Sequence, residues 1–174
     1  MNDRSAPTAL WRPMAASDLP QVEAIAAAVH PAYPEDGAVP AERLRLSPNG
    51  CFVLERQGGI LGYVVSHPWY RFDPPKLDTL LGALPAPAGT WYIHDLALVS
   101  AARGRGHAEA IVRRLVAEAE RAGLPSLSLV AVNGSAPFWR RHGFVAAGDG
   151  ALREALASYD ADAVFMVREL ADGA

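Results

Sequence analysis

The chain has 174 residues, with 51% hydrophobic and 20% charged side chains, proportions of one ordinary globular domain rather than a disordered chain, collagen or a coiled-coil fibre. Sixteen Lys and Arg against nineteen Asp and Glu give a net charge of −3, which offers no overall field for a polyanion, so nucleic acid is not an expected partner. A single cysteine, Cys51, excludes an internal disulfide and a multi-thiolate metal site. It fits a reducing compartment. Met1 to Leu10 carries Asp3 and Arg4 and no apolar core, unlike a secretory signal, and no apolar run approaches the length that spans a bilayer. These features predict a cytoplasmic protein with no membrane partner.

In chain order, Leu10-Trp11-Arg12 predicts a short strand. Ser17-Asp18 offers an N-cap to a helix carrying Leu19, Val22, Ile25, Ala26 and Val29 at helical spacing, stopped by Pro31 and Pro34. Glu42 to Leu46 predicts a short helical piece, and Pro48-Asn49-Gly50 a turn. Cys51–Glu55 and Ile60–Ser66 flank Gln57-Gly58-Gly59, the composition of a tight hairpin. Residues 67 to 90 hold five prolines and one helical candidate, Leu77–Leu84, and read as a long surface excursion. Trp91 to Val99 predicts an apolar strand interrupted by His94-Asp95. Arg103-Gly104-Arg105-Gly106 follows, and then a helix from about His107 to Ala122 whose buried stripe is Ala108, Ile111, Val112, Leu115 and Ala119, with Glu118 assigned to the polar side. Gly123 ends that helix, and a strand follows Pro125. Ser135–Arg141 is a short helix, Phe144-Val145 starts another strand, and Val164–Arg168 is the last. No repeat or linker divides the chain, so one domain over residues 1–174 is expected.

A glycine-rich passage from strand to helix leaves backbone N–H groups unpaired and favours a phosphate, with Arg103 and Arg105 reinforcing it. Two common phosphate loops fail there. A dinucleotide fingerprint starting at Gly104 needs glycine where Glu109 stands, and Gly-Lys-Ser/Thr is absent. Arg103-x-x-Gly106-x-Ala108 instead resembles the Arg/Gln-x-x-Gly-x-Gly/Ala signature of the GCN5-related N-acetyltransferase (GNAT) superfamily. Companions occur in order: His94-Asp95-Leu96-Ala97-Leu98 before the loop, and Asn133-x-Ser135-Ala136-x-Phe138-Trp139-x-x-x-Gly143-Phe144 after the next strand.

The resemblance implies an α/β (α+β) fold with a central mixed, mostly antiparallel twisted sheet of six to seven strands flanked by about four helices. It implies an acyltransferase moving acetyl from acetyl-CoA to a primary amine of a small molecule or peptide, by direct attack in a ternary complex. By the same resemblance, the backbone of Leu96, Ala97 and Leu98 pairs with the pantetheine arm and Leu98 N–H polarises the thioester carbonyl. Arg103, Gly104, Arg105, Gly106, His107 and Ala108 cradle the pyrophosphate, while Asn133 and Phe138 contact the cofactor.

The acceptor amine must lose a proton before it attacks. His94 has the imidazole chemistry of a general base, with Asp95 assisting, although strand alternation sends the two to opposite faces unless a bulge intervenes. Trp139 occupies the position where many relatives carry a tyrosine acid, and an indole N–H cannot titrate. Trp69, Tyr70, Phe72, Asp73 and Asp78, with Glu35 and Asp36, suggest an aromatic and acidic mouth for a cationic amine. No metal site is expected. The sequence leaves open a homodimer, a non-catalytic CoA-binding module, and a toxin-like acetyltransferase acting on charged transfer RNA through Arg113, Arg114, Arg140 and Arg141.

Overall fold

A computed structural model describes residues 8–157 and 160–171; the reading of Met1 to Leu10 therefore lies mostly outside the described residues. Seven strands form one mixed sheet in the order β1-β2-β3-β4-β5-β7-β6. They are β1 (Leu10–Pro13), β2 (Cys51–Arg56), β3 (Gly59–Trp69), β4 (Thr90–Leu98), β5 (Ser126–Ala131), β6 (Val145–Ala146) and β7 (Val164–Glu169). All pairs are antiparallel except β4 with β5. That one parallel step requires a crossover, which α3 (His107–Arg121) supplies.

The two faces of the sheet are covered separately. On one, Ile111, Val112, Leu115 and Ala119 of α3 pack against Phe52, Val64, Trp91, Ile93, Leu127 and Leu129. On the other, Val22 and Ile25 of α1 (Leu19–Val29) pack against Val53, Tyr63, Val65 and Ala97. Strands buried on both faces read as apolar runs rather than alternating ones, as Cys51 to Leu54 does. The β2–β3 turn carries positive φ at Gln57 (51°) and Gly58 (77°), the conformation its sequence predicts.

Several expectations need correction. Leu77–Leu84 forms turns rather than a helix, and the excursion begins later than residue 67 because β3 runs on to Trp69, paired with Thr90. The second helix, α2 (Ala38–Leu46), is longer than Glu42–Leu46, and a helix not read from the sequence, α5 (Gly150–Ala157), follows α4 (Ala136–Arg141), giving five described α-helices in keeping with the expected number of about four. Glu118 is buried, its carboxylate accepting from Arg121 at 2.9 Å. Among the described residues no helix is long and apolar enough to cross a membrane.

His67 on β3 is fully buried. One ring nitrogen, Nδ1, lies 3.0 Å from the Pro68 carbonyl and donates to it, while Nε2 finds no protein partner. Burial disfavours the imidazolium and pulls its pKa from 6.5 down to about 3. Below pH 6.5 the unfolded chain therefore takes a proton that the folded chain refuses, so stability falls with acidification. Urea unfolding of the wild type and His67→Leu across this range should show the wild type losing up to about 1.4 kcal/mol per pH unit more than the variant. Parallel curves would show that His67 protonates in the folded state.

Candidate active site

The site exists because β4 and β5 stay together for only three residue pairs, Trp91↔Leu127, Tyr92↔Ser128 and Ile93↔Leu129. Beyond them β4 continues beside β3 to Leu98, while β5 follows β7 to Ala131. The two strands part, opening a cavity of about 390 Å³ whose lining includes Leu96, Leu98, Arg103, Ala108, Asn133 and Phe138.

Within the open part of β4, the pleat decides which backbone groups are free. Val99 N–H donates to Leu61 O on β3 at 2.9 Å; by alternation Ala97 also turns its N–H toward β3, whereas Leu96 and Leu98 turn theirs into the split. Leu98 O accepts from Arg103 Nε at 3.1 Å, which places the Leu98 peptide on the open side. Of the three residues expected to pair through their backbone, Ala97 is therefore the one committed to the sheet, and its side chain is buried beneath α1.

At the end of the split the chain enters α3 through Gly104 (φ 68°) and Gly106 (φ 79°). A β-carbon at either would meet no protein atom within 4 Å, so the left-handed conformation, not crowding, is what requires glycine. No side chain caps α3, and its first intrahelical bond runs from Ala110 N–H to Gly106 O. The N–H groups of His107, Ala108 and Glu109 therefore point outward at the positive end of the helix dipole, with exposed Arg103 and Arg105 beside them. Trp11 Nε1 donates to His107 O at 2.9 Å and ties this helix end to β1. An anionic group in open space above the loop fits this arrangement.

Where the split begins, β4 carries a bulge: Val65 pairs with Asp95 and Ser66 with Ile93, so His94 has no partner on β3. The bulge cancels the alternation that would have separated His94 from Asp95, and both line the same space. They lie between the cavity of the split and a second cavity of about 390 Å³ beneath α1, and, with His30, they line both.

Two His–carboxylate pairs occupy this junction. His94 Nε2 lies 2.8 Å from Glu35 Oε1, and His30 Nε2 lies 2.9 Å from Asp95 Oδ1. Tyr63 donates its hydroxyl to the other oxygen of Asp95, and Asn133 Nδ2 approaches His30 Nδ1 at 3.3 Å. Burial pushes the Glu35 carboxyl up, but the bond and charge of His94 and the N–H of Asp78 outweigh it and hold Glu35 below the usual range. For His30, the Asp95 carboxylate outweighs burial and raises the imidazole above 6.5. Burial and the same carboxylate raise the Tyr63 phenol far above its ordinary value, so it remains a donor.

His30 and Tyr63 were not picked out from the sequence. A histidine closing α1 ahead of Pro31 and a tyrosine inside an apolar strand carry no local signal of shared function. Of the aromatic and acidic mouth, Glu35 alone reaches the cavity beneath α1. Asp36 donates its N–H to Asp78, Trp69 donates to Asp73 O, Tyr70 packs edge-on to Trp69, and Phe72 packs on Phe165. Trp139 is buried, edge-on to Phe138 and Phe144 at 5.0 and 5.3 Å, as a core residue would be. Among the described residues, no group of three or more His, Cys, Asp or Glu is placed to hold a metal ion.

The acetyltransferase (GNAT) family profile matches residues 17–144. No curated protein matches the chain. Among solved structures, Ard1 from Thermoplasma volcanium superposes with a TM-score of 0.72 at 18% identity, covering 94% of this chain and 99% of the other. GphF, a GNAT-like decarboxylase in complex with isobutyryl-CoA, gives 0.74 at 19%, covering 92% and 98%. N-acetylglutamate synthase from Neisseria gonorrhoeae, complexed with coenzyme A and N-acetyl-glutamate, gives 0.64 at 18%, covering 95% of this chain and 36% of the longer one. These similarities fix the fold, and the profile, spanning the loop, the split and the helix after it, fixes the family: the chain belongs to the acetyltransferase (GNAT) family of acyltransferases.

Proposed function

We propose that the protein transfers an acetyl group from acetyl-CoA to a primary amine by direct attack within a ternary complex. The observation that carries this reading is the junction. His94 and Asp95 stand between a cleft suited to a diphosphate and extended arm and a second cavity suited to an amine. The isobutyryl-CoA complex of GphF and the coenzyme A complex of the Neisseria synthase support the choice of a CoA thioester as donor.

The thioester supplies an activated acetyl group; the rest falls to the chain. Arg103, Gly104, Arg105, Gly106, His107 and Ala108 hold the diphosphate through backbone amides and guanidinium groups. Leu96 offers its backbone to the pantetheine arm, Ala97 supports that strand from below, and Asn133 and Phe138 close the far side. Leu98 N–H would face the carbonyl oxygen, where charge develops during attack; collapse of that charge breaks the C–S bond and releases CoA as a thiolate, a good leaving group that takes its proton from water. The Glu35 carboxylate accepts the Nε2 proton of His94, which fixes the tautomer and leaves the Nδ1 lone pair to take the proton from the amine. His30 and Tyr63 hold the Asp95 carboxylate at the junction, where it orients the incoming amine.

In a thiol-release assay with a panel of amines, His94→Gln should lower kcat about a hundredfold or more while leaving acetyl-CoA affinity within about twofold. Gly106→Val, which forces a branched side chain into a left-handed position at the diphosphate, should weaken acetyl-CoA binding at least about tenfold by calorimetry. Retention of full rate by the first variant would remove His94 as the base, and retention of affinity by the second would misplace the loop. Acetyl-CoA binding without acetylation of any amine would favour a non-catalytic binding module.

His30 provides a separate check. Its raised pKa means that the folded state holds the proton more tightly, so the stability it contributes is complete below 6.5 and is lost as pH climbs through the folded value. Proton NMR should show the His30 imidazole titrating above 6.5 in the wild type, with the midpoint falling in Asp95→Asn. An unchanged midpoint would mean that the pair does not form.

A further inference from the structure

Resting on the acetyl-transfer reading, we propose that the acceptor is an aliphatic diamine, with one nitrogen at the His94–Asp95 junction and the second, still charged, held by Glu23 at the rim of the cavity beneath α1. The lining of that cavity has acidic groups at its two ends and an apolar wall between them. At the inner end stand Asp95 and Glu35, each already matched to one histidine. At the outer end stands Glu23, exposed, with no cationic partner among the described residues.

Glu23, Ala26, Ala27 and His30 share one face of α1, at spacings of three, four and seven residues. Seven residues advance a helix by about 10 Å, so Glu23 lies two turns from the histidine that grips Asp95. Apart from Tyr33 and Tyr63, the rest of the lining is apolar, including Val22, Ala26, Ala27, Pro34 and Val65, which suits methylene groups rather than a polar chain.

The position of Glu23 is also set structurally. Its Oε1 lies only 2.6 Å from where a β-carbon on Gly37 would stand, too close for both. Gly37 is the N-cap of α2 at φ −58°, an ordinary helical conformation open to any residue, so glycine there leaves room for the carboxylate. The α2 N-terminus favours a negative charge without cancelling it.

No Lys or Arg is among the residues lining this cavity. An acceptor carrying a carboxylate, such as the glutamate product held by the Neisseria synthase, would meet three carboxylates and no permanent cation. A monoamine would leave Glu23 unused.

The test compares putrescine and cadaverine with butylamine and pentylamine as acceptors for the whole chain with acetyl-CoA, in the wild type, Glu23→Gln and Gly37→Ala. The wild type should favour each diamine over its monoamine by about fivefold or more in kcat/KM, through KM, with the preference shrinking as salt is added. Glu23→Gln should bring that ratio to within about twofold of one, and Gly37→Ala, which displaces the carboxylate without altering its chemistry, should lower it in the same direction. Equal use of both amines by the wild type, or an undiminished ratio in Glu23→Gln, would overturn the proposal. If neither amine is acetylated, calorimetry of putrescine against the CoA-bound protein decides. Binding lost in Glu23→Gln would uphold the diamine site while refuting acetyl transfer, and no binding by the wild type would overturn both.

Discussion

The parting of β4 from β5 after three residue pairs is the constraint on which the rest of the molecule depends. A parallel pair that continued would satisfy its own backbone and bury its side chains, leaving nothing to bind an extended ligand. Here each strand remains paired on its outer side, β4 with β3 and β5 with β7, so the sheet loses little order while Leu96 and Leu98 turn their N–H groups to the inner side. The His94 bulge lies next to the last shared pair, Ile93↔Leu129. Bulges increase local twist. One extra residue thus accounts both for the divergence of β4 and for the presence of His94 and Asp95 on the same space.

Charge at the junction is arranged as two matched pairs rather than one network. Glu35 serves His94, and Asp95 serves His30, although the two imidazoles belong to different elements and line the same cavities. The partners have different consequences. His30 has the Asp95 carboxylate 2.9 Å from Nε2 and Asn133 3.3 Å from Nδ1, so both its nitrogens face polar groups and its charge holds the carboxylate in place. His94 has the Glu35 carboxylate at Nε2, which fixes that nitrogen as the donor and leaves Nδ1 as the acceptor of the neutral ring. Asn133 also links the junction to the cleft between β4 and β5, since it lines that cleft while approaching His30.

The glycine turn ahead of α3 was legible in the sequence and the His–carboxylate junction was not, for physical reasons. The turn is local: Arg103 to Ala108 are adjacent in the chain, and its two glycines with positive φ are written directly into the letters. The apolar runs and the α3 stripe likewise report burial by periodicity alone. His30, Glu35, Tyr63 and Asp95, by contrast, come from a helix end, a loop and two strands, and only tertiary packing brings them together. The bulge at His94 is equally invisible, because register depends on both strands at once. Glu118 was misassigned because a charged letter at a helical position says nothing of a neighbouring arginine that lets it be covered.

The proline-rich excursion illustrates how an acceptor side can be organised by a segment that does not line most of it. Arg43 is fully buried, pairs with Glu42 at 2.7 Å and donates to Thr79 O at 2.8 Å. Glu42 in turn accepts from the N–H groups of Leu81 and Gly82 at 2.6 and 3.0 Å. A buried pair of this kind contributes little net stability, but loss of one member would strand the other charge, so the excursion is pinned at residues 79–82. Immediately before the pin, Asp78 donates its N–H to Glu35 at 3.0 Å, and Glu35 carries the carboxylate that orients His94. The path from Arg43 through the excursion to Glu35 and His94 therefore makes the loop a brace for His94. Its prolines, which prevent regular structure, restrict its backbone freedom and help it hold a fixed position without a helix.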